Sequence, residues 1–267
     1  MLFEFSKFIK GVNMVNCKNV LSRIFISSLP FLMCGCLFYS DREPTIYENG
    51  FFKYIHLGDN SGSQNLNDRS LVIVGFTDLG QEQETLDIPR KIDGYEVKRI
   101  GLKDSDFYHL SNRQIYPSQT LKKIYVEDNI EYIEEFMGSN VEIFLNSPKK
   151  FLKKFECNCK NIYLYKELFE ELGYPELYSD PNVSRLYLPA NVNFLINLPT
   201  SSENDLYRID NISTGERIKQ PVDPKIEGYD FKGWYTSPEC LDKFNFETIP
   251  TLSEQDGIVL YAGWNIL

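Results

Sequence analysis

The sequence predicts a mostly β protein of the α+β class, in which a short β-solenoid over 50–190 is followed by a small β-grasp-like module over 191–267. Two observations carry this. Segments reading polar, aliphatic, aromatic, aliphatic recur in the middle of the chain with Ile124, Ile143, Ile162 and Leu186 at spacings of 19, 19 and 24 residues. Recurrence at such periods marks stacked units of one strand plus a return. Two alternating aromatic motifs near the C-terminus, containing both tryptophans of the chain, mark a separate small sheet.

The N-terminal elements concern export. Lys7, Lys10, Lys18 and Arg23 precede an apolar run from Ile24 to Met33, then Cys34-Gly35-Cys36. A basic start, a short apolar core and a small residue describe a secretion signal. The run is shorter than the roughly 20 residues that span a bilayer, and Pro30 interrupts it. Met33-Cys34-Gly35-Cys36 resembles a lipobox. The resemblance implies a lipoprotein-type signal peptide over 1–35, cleavage after Gly35, lipidation of Cys36 and a tether over 36–49. Met14 is an alternative start, and an uncleaved buried or membrane-inserted helix is the alternative structure.

The strands of the central region come next. Phe51–Leu57 and Leu71–Phe76 read as strands around a polar loop, forming an N-terminal cap over the solenoid core. Thr85-Leu86-Asp87-Ile88-Pro89 fits the repeating frame 38 residues, or two periods, before Ile124. In each unit the two aliphatics point inward and the aromatic points to the outer sheet surface. Ile88-Pro89, Gly94-Tyr95-Glu96-Val97 and Ile100-Gly101 resemble the leucine-rich repeats of BspA-like bacterial surface antigens, and 121–136 repeats the pattern loosely. Lys166–Gly173 reads as a short amphipathic helix ended by glycine.

In the last module, Gly228-Tyr229-Asp230-Phe231 and Leu260-Tyr261-Ala262-Gly263-Trp264 alternate as half-buried strands, the second placing Leu260, Ala262 and Trp264 on one face. Gly233 gives the backbone freedom to seat Trp234. Both tryptophans read as core, because a small module needs large aromatics. Arg217–Trp264 resembles the Listeria–Bacteroides repeat, the B-repeat module of internalin-type surface proteins, which implies a spacer or binder on a bacterial surface.

Charge agrees with export. The chain carries 28 Lys and Arg against 38 Asp and Glu. Removing four basic residues and one acidic residue with the leader leaves 24 against 37, a balance that repels nucleic acid and anionic lipid. Cys157-Asn158-Cys159 is too tight for an easy disulfide and lacks a second pair of zinc ligands. No metal site or cofactor is read. His56 and His109 read as surface or packing residues, Glu131, Glu134 and Glu135 as a charged strand edge or solvated face, and Lys149-Lys150 with Lys153-Lys154 as a basic return segment.

The functional expectation is a non-catalytic cell-surface lipoprotein, anchored by lipid, that mediates adhesion or interaction with a host or neighbouring surface protein or a glycan. A structural spacer is the alternative, and a carbohydrate hydrolase a weaker one. Tyr125, Phe144, Tyr163 and Tyr187 form the candidate binding strip. Stacked strands would align them roughly 4.8 Å apart, as a surface for sugar faces or a peptide. The opposing expectation is that the strip is covered, by a helix or loop or by the last module.

Overall fold

A computed structural model of the chain describes residues 44–57, 69–102, 114–146, 154–171, 186–200, 205–252 and 257–267. The expected leader, Cys36, most of the expected tether, His109 and Lys149, Lys150 and Lys153 lie outside these residues. Asp41–Leu267 packs as one compact unit. The described strands are β1 (Tyr47–Asn49), β2 (Phe52–His56), β3 (Leu71–Phe76), β4 (Thr85–Asp87), β5 (Lys91–Ile92), β6 (Tyr95–Ile100), β7 (Lys123–Glu127), β8 (Tyr132–Asn146), β9 (Lys154–Leu164), β10 (Leu186–Pro189), β11 (Val192–Leu195), β12 (Leu206–Asp210), β13 (Tyr229–Tyr235) and β14 (Ile258–Ile266). Two short helices accompany them, α1 (Asp78–Gln81) and α2 (Lys166–Glu171). The fold is thus mostly β, as the alternating patterns predict.

The first ten strands form one sheet system, and its organisation follows the period of the sequence. β4, β7, the second half of β8, the second half of β9, and β10 pair in parallel in that order. Leu86, Ile124, Ile143 and Ile162 are successive partners, so spacings of 38, 19 and 19 residues each become one step sideways across the sheet. A second parallel stack joins β3, β6 and the first halves of β8 and β9, with Ile100, Ile133 and Phe155 in register. Irregularities at Ile133/Phe136 and Gly138/Glu142 separate the two halves of the β8–β9 ladder. Strands β1, β2 and β3 add an antiparallel meander. Tyr47–Asn49, expected as the end of a tether, therefore belongs to the sheet.

Apolar residues of both stacks meet in one core that includes Leu86, Ile124, Ile143 and Ile162 from the first and Val97, Ile100, Ile133 and Phe136 from the second. Burying each such side chain contributes about 1.5–3 kcal/mol, so this core dominates stability. Two expectations are corrected here. Ile162 pairs with Tyr187 and not with Leu186, so β10 sits one residue out of the expected phase. Because side chains alternate between faces, Tyr187 packs against the main core while Leu188 takes the outer position. Glu134 is fully buried, not solvated. The β8 irregularity, with Glu135 at φ 53°, breaks the alternation and leaves Ile133 and Glu134 both inside.

The last four strands form a second sheet in the order β12-β11-β14-β13. Its central pair, β11 and β14, is parallel, and the two flanking pairs are antiparallel. The connection from Asn211 to Gly228 contains turns and extended chain but no helix. Trp234 is 1% exposed and packs edge-on against Phe194 at 4.9 Å, in a core with Val192, Leu260 and Ala262. Trp264 packs on the same core, and its indole Nε1 donates to the Ile196 carbonyl at 2.6 Å.

Gly101 illustrates how closely the turns approach. It lies at φ 81°, where its N–H donates to the Ile73 carbonyl at 2.8 Å, and a Cβ there would overlap the Glu134 carbonyl oxygen. Gly101→Ala is therefore expected to cost about 3 kcal/mol or more, read as a lowered midpoint in urea denaturation.

Candidate functional site

The expected strip exists as a ladder, but it is not a free surface. In-register parallel pairing sets Tyr125, Phe144 and Tyr163 side by side on β7, β8 and β9. Ring centroids are 4.7 Å and 4.8 Å apart with interplanar angles of 22° and 13°. These distances equal the spacing between neighbouring strands, so the backbone ladder fixes the aromatic stack. All three rings are buried, at 3%, 0% and 4% exposure, in a cluster with Ala190 and Ile209, and with Leu188 and Leu206 at its margin. Strand β12 of the second sheet lies over them. Of the two expectations for the strip, cover by the last module is the one found for these three residues, and Tyr187 is not a member of it.

Polar groups frame the buried rings. Arg208 stacks its guanidinium 3.4 Å from the centroid of the Tyr125 ring and pairs with Asp87. The Tyr125 hydroxyl donates to Asp210 Oδ1 at 2.8 Å, and Lys123 Nζ reaches the same oxygen at 2.7 Å. Lys123 Nζ also donates to the Asn211 carbonyl at 3.0 Å. Asn211 Nδ2 donates to the Tyr163 hydroxyl at 3.2 Å. The Asn146 side-chain oxygen accepts the Ile209 backbone N–H at 3.0 Å, while its Nδ2 donates to Glu127 at 3.2 Å. Desolvation of a paired charge roughly offsets its attraction, so these contacts set alignment while the rings supply most of the energy. Each stacked pair adds about 0.5–1.5 kcal/mol beyond its buried area.

Burial, followed by the charge of Glu142, pushes the Tyr163 hydroxyl up to about 12. Burial, followed by the charge of Asp210, moves the Tyr125 hydroxyl in the same direction. Burial also raises the Glu127 carboxyl, opposed by the hydrogen bond from Asn146.

An open cleft of about 950 Å³ runs beside this seam, between β4 and β7 on one side and the 216–222 segment with Phe246 and Glu247 on the other. Opposite charges alternate along it: Asp87 is paired with Arg208, Asp210 with Lys123, and Glu247 with Arg217 at 3.0 Å. Lys219 and Val222 lie exposed at its edge, Val222 at 72%. No sequence pattern announces this cleft, because its walls lie far apart in the chain. Elsewhere His56 packs edge-on against Tyr95 at 4.8 Å and beside Tyr47 at 5.4 Å, as a packing residue. Among the described residues no cluster of three His, Cys, Asp or Glu side chains is placed to hold a metal, and no helix is long and apolar enough to cross a membrane.

One comparison with known proteins bears on the second sheet. Residues 192–263 match the Listeria-Bacteroides repeat domain. The match begins at the first residue of β11 and ends within β14, so it spans all four strands. A protein named as a membrane protein from Evansella cellulosilytica is 42% identical over 52 residues, which is 20% of this chain and 7% of that protein. The matched stretch is thus a small part of that longer relative.

Two outcomes follow from the ladder. Phe144→Ala, which removes the middle ring, is expected to lose about 3–5 kcal/mol in urea denaturation. Tyr163 is protonated in the folded chain from its ordinary value near 10 up to about 12, a window in which the unfolded chain loses the proton. Its stabilising contribution is complete below that window and disappears as pH rises through it. Denaturation midpoints measured from about pH 9 to about pH 11 should fall, and Tyr163→Phe should flatten the slope.

Proposed function

We propose that this chain is a non-catalytic bacterial cell-surface lipoprotein that mediates adhesion or interaction with a neighbouring protein or a glycan. In this reading a leader ends at Gly35, Cys36 carries lipid, a short leucine-rich-repeat-like β-solenoid follows the tether, and a β-grasp-like repeat module completes the unit. The observation that carries it is the match of 192–263 to a repeat domain, together with the lipobox-like Met33–Cys36 at the other end. The 19-residue register of β7, β8 and β9 supports the solenoid. The ion pairs that engage Asp87, Asp210 and Glu247 favour binding over acid–base chemistry in the cleft.

With the aromatic ladder covered, the cleft becomes the binding surface of this reading. It offers exposed Val222 and Lys219 beside paired charges, a mixture suited to sugar hydroxyls or a peptide backbone. One observation favours the spacer alternative: the buried seam at Tyr125, Phe144 and Tyr163 joins the two sheets into a single stiff unit.

Mass spectrometry of the mature protein tests the anchor. The expected product begins at an acylated Cys36 in the membrane fraction, and a cytosolic product retaining Met1 or Met14 would sink the proposal. A glycan and protein array probed with the exported chain separates binder from spacer. A binder retains a ligand, and Lys219→Glu with Val222→Ser weakens it at least about tenfold without moving the melting temperature; a spacer retains none.

A further inference from the structure

Lys123 and Asp210 join the two sheets beside the aromatic ladder. Lys123 opens β7, and Asp210 closes β12, 87 residues later in the chain. Lys123 Nζ stands 2.7 Å from Asp210 Oδ1. Two further contacts hold it there: the Asn211 carbonyl at 3.0 Å, and the Phe144 ring with its centroid 5.2 Å away. The Asp210 side chain is 7% exposed and that of Lys123 26%. An amine this close to a carboxyl oxygen needs only a small shift to stand over the carbon, at the about 3–3.5 Å of a near-attack geometry.

The groups around the pair also fit an amide. Oδ1 accepts from the Tyr125 hydroxyl and from the Asn211 backbone N–H, both at 2.8 Å. Two donors fixed on one oxygen stabilise the negative charge that develops there when a nucleophile adds to the carbon. Burial, followed by the charge of Asp210, pushes the Tyr125 hydroxyl's pKa up, so it remains a donor. Once an amide has formed, the same two donors serve its carbonyl, and the Asn211 carbonyl serves its N–H.

We propose that Lys123 and Asp210 condense within the folded chain into an isopeptide bond between Nζ and Cγ. One proton passes from the ammonium to Oδ2, leaving a neutral amine and a carboxylic acid. The amine lone pair attacks Cγ, and the carbonyl electron pair moves onto Oδ1. The bond from Cγ to Oδ2 then breaks as a second Nζ proton joins the leaving hydroxyl, which departs as water. Nothing is oxidised or reduced. Effective molarities of well-aligned groups reach about 10⁵–10⁸ M, which favours condensation over hydrolysis. The step also removes two charges whose desolvation is costly. Both residues line the open cleft, which gives the released water a way out. The bond ties β12 to β7 and fastens the cover over Tyr125, Phe144 and Tyr163. The proposal does not rest on the surface reading, because a chain made without export reports it.

The test uses the full chain, synthesised in a cell-free system, folded and sampled over time, with the fold checked by near-ultraviolet circular dichroism. Each sample is denatured, reduced, weighed intact by mass spectrometry and cut with trypsin. The expected mass is one water below that of the sequence. The expected digest holds a branched peptide, 123–149 joined to 209–217, because trypsin does not cut after an acylated Lys123. Lys123→Arg keeps the charge opposite Asp210 and should show the full mass and no branched peptide. Tyr125→Phe keeps the ring but removes one donor from Oδ1, and its branched peptide should accumulate at least about tenfold more slowly. A folded chain that keeps the full mass, with trypsin cutting after Lys123, holds an ion pair only and overturns the proposal. So does a water loss that persists in Lys123→Arg, or a link from Lys123 to another carboxyl. Equal rates in Tyr125→Phe overturn the role of its hydroxyl.

Discussion

The spacing between hydrogen-bonded strands governs this molecule. Once β7, β8 and β9 pair in parallel without a register slip at Ile124, Ile143 and Ile162, every position in the unit repeats at that interval. The inward positions build an aliphatic core, and the outward position builds a column of rings 4.7 Å and 4.8 Å apart. Stacked rings at that distance are favourable in themselves, so backbone and side chains agree on one register. A slip by one residue would exchange the two faces, exposing the aliphatics and burying charged neighbours such as Lys123 and Glu142.

The column creates an obligation as well as an order. Three large rings in a row form an apolar strip that a lone domain hides at a gain. Strand β12 covers them, and its charged residues are spent at the margin. Arg208 lies over the Tyr125 ring and meets Asp87, while Asp210 gathers both Lys123 and the Tyr125 hydroxyl. The result is a buried apolar centre with a polar rim. It also explains why the cleft beside it is lined with ion pairs: it is the outer margin of the same contact.

Much of this was legible in the sequence and some was not, for identifiable reasons. The period placed Leu86, Ile124, Ile143 and Ile162 in register because repetition at fixed spacing constrains pairing directly. The alternation in Leu260–Trp264 located the second core for the same reason. The phase failed at Tyr187, where α2 and the longer 24-residue interval separate β10 from the regular units. It failed at Glu134 because an irregularity in β8 shifts the inside–outside count, and no sequence pattern announces one. Burial of the ladder depends on Ile209 and Leu206, which arrive after the repeats are complete. A face can be read from periodicity, but its neighbour cannot. The cleft is hidden for the same reason.

Asn146 gives the seam a further meaning. Its side-chain oxygen takes the backbone N–H of Ile209, on the outer edge of the four-stranded sheet. An amide donor left bare on a flank such as this is a template for stray chains, the starting point of amyloid-like growth. Asn146 therefore satisfies an edge amide that the four-stranded sheet itself leaves without a strand partner. A fragment ending before β11 would lose the lid over its rings, and a fragment beginning there would lose the plug on its flank. Neither half is a natural unit for recombinant dissection, and cutting between them converts an internal contact into two sticky surfaces.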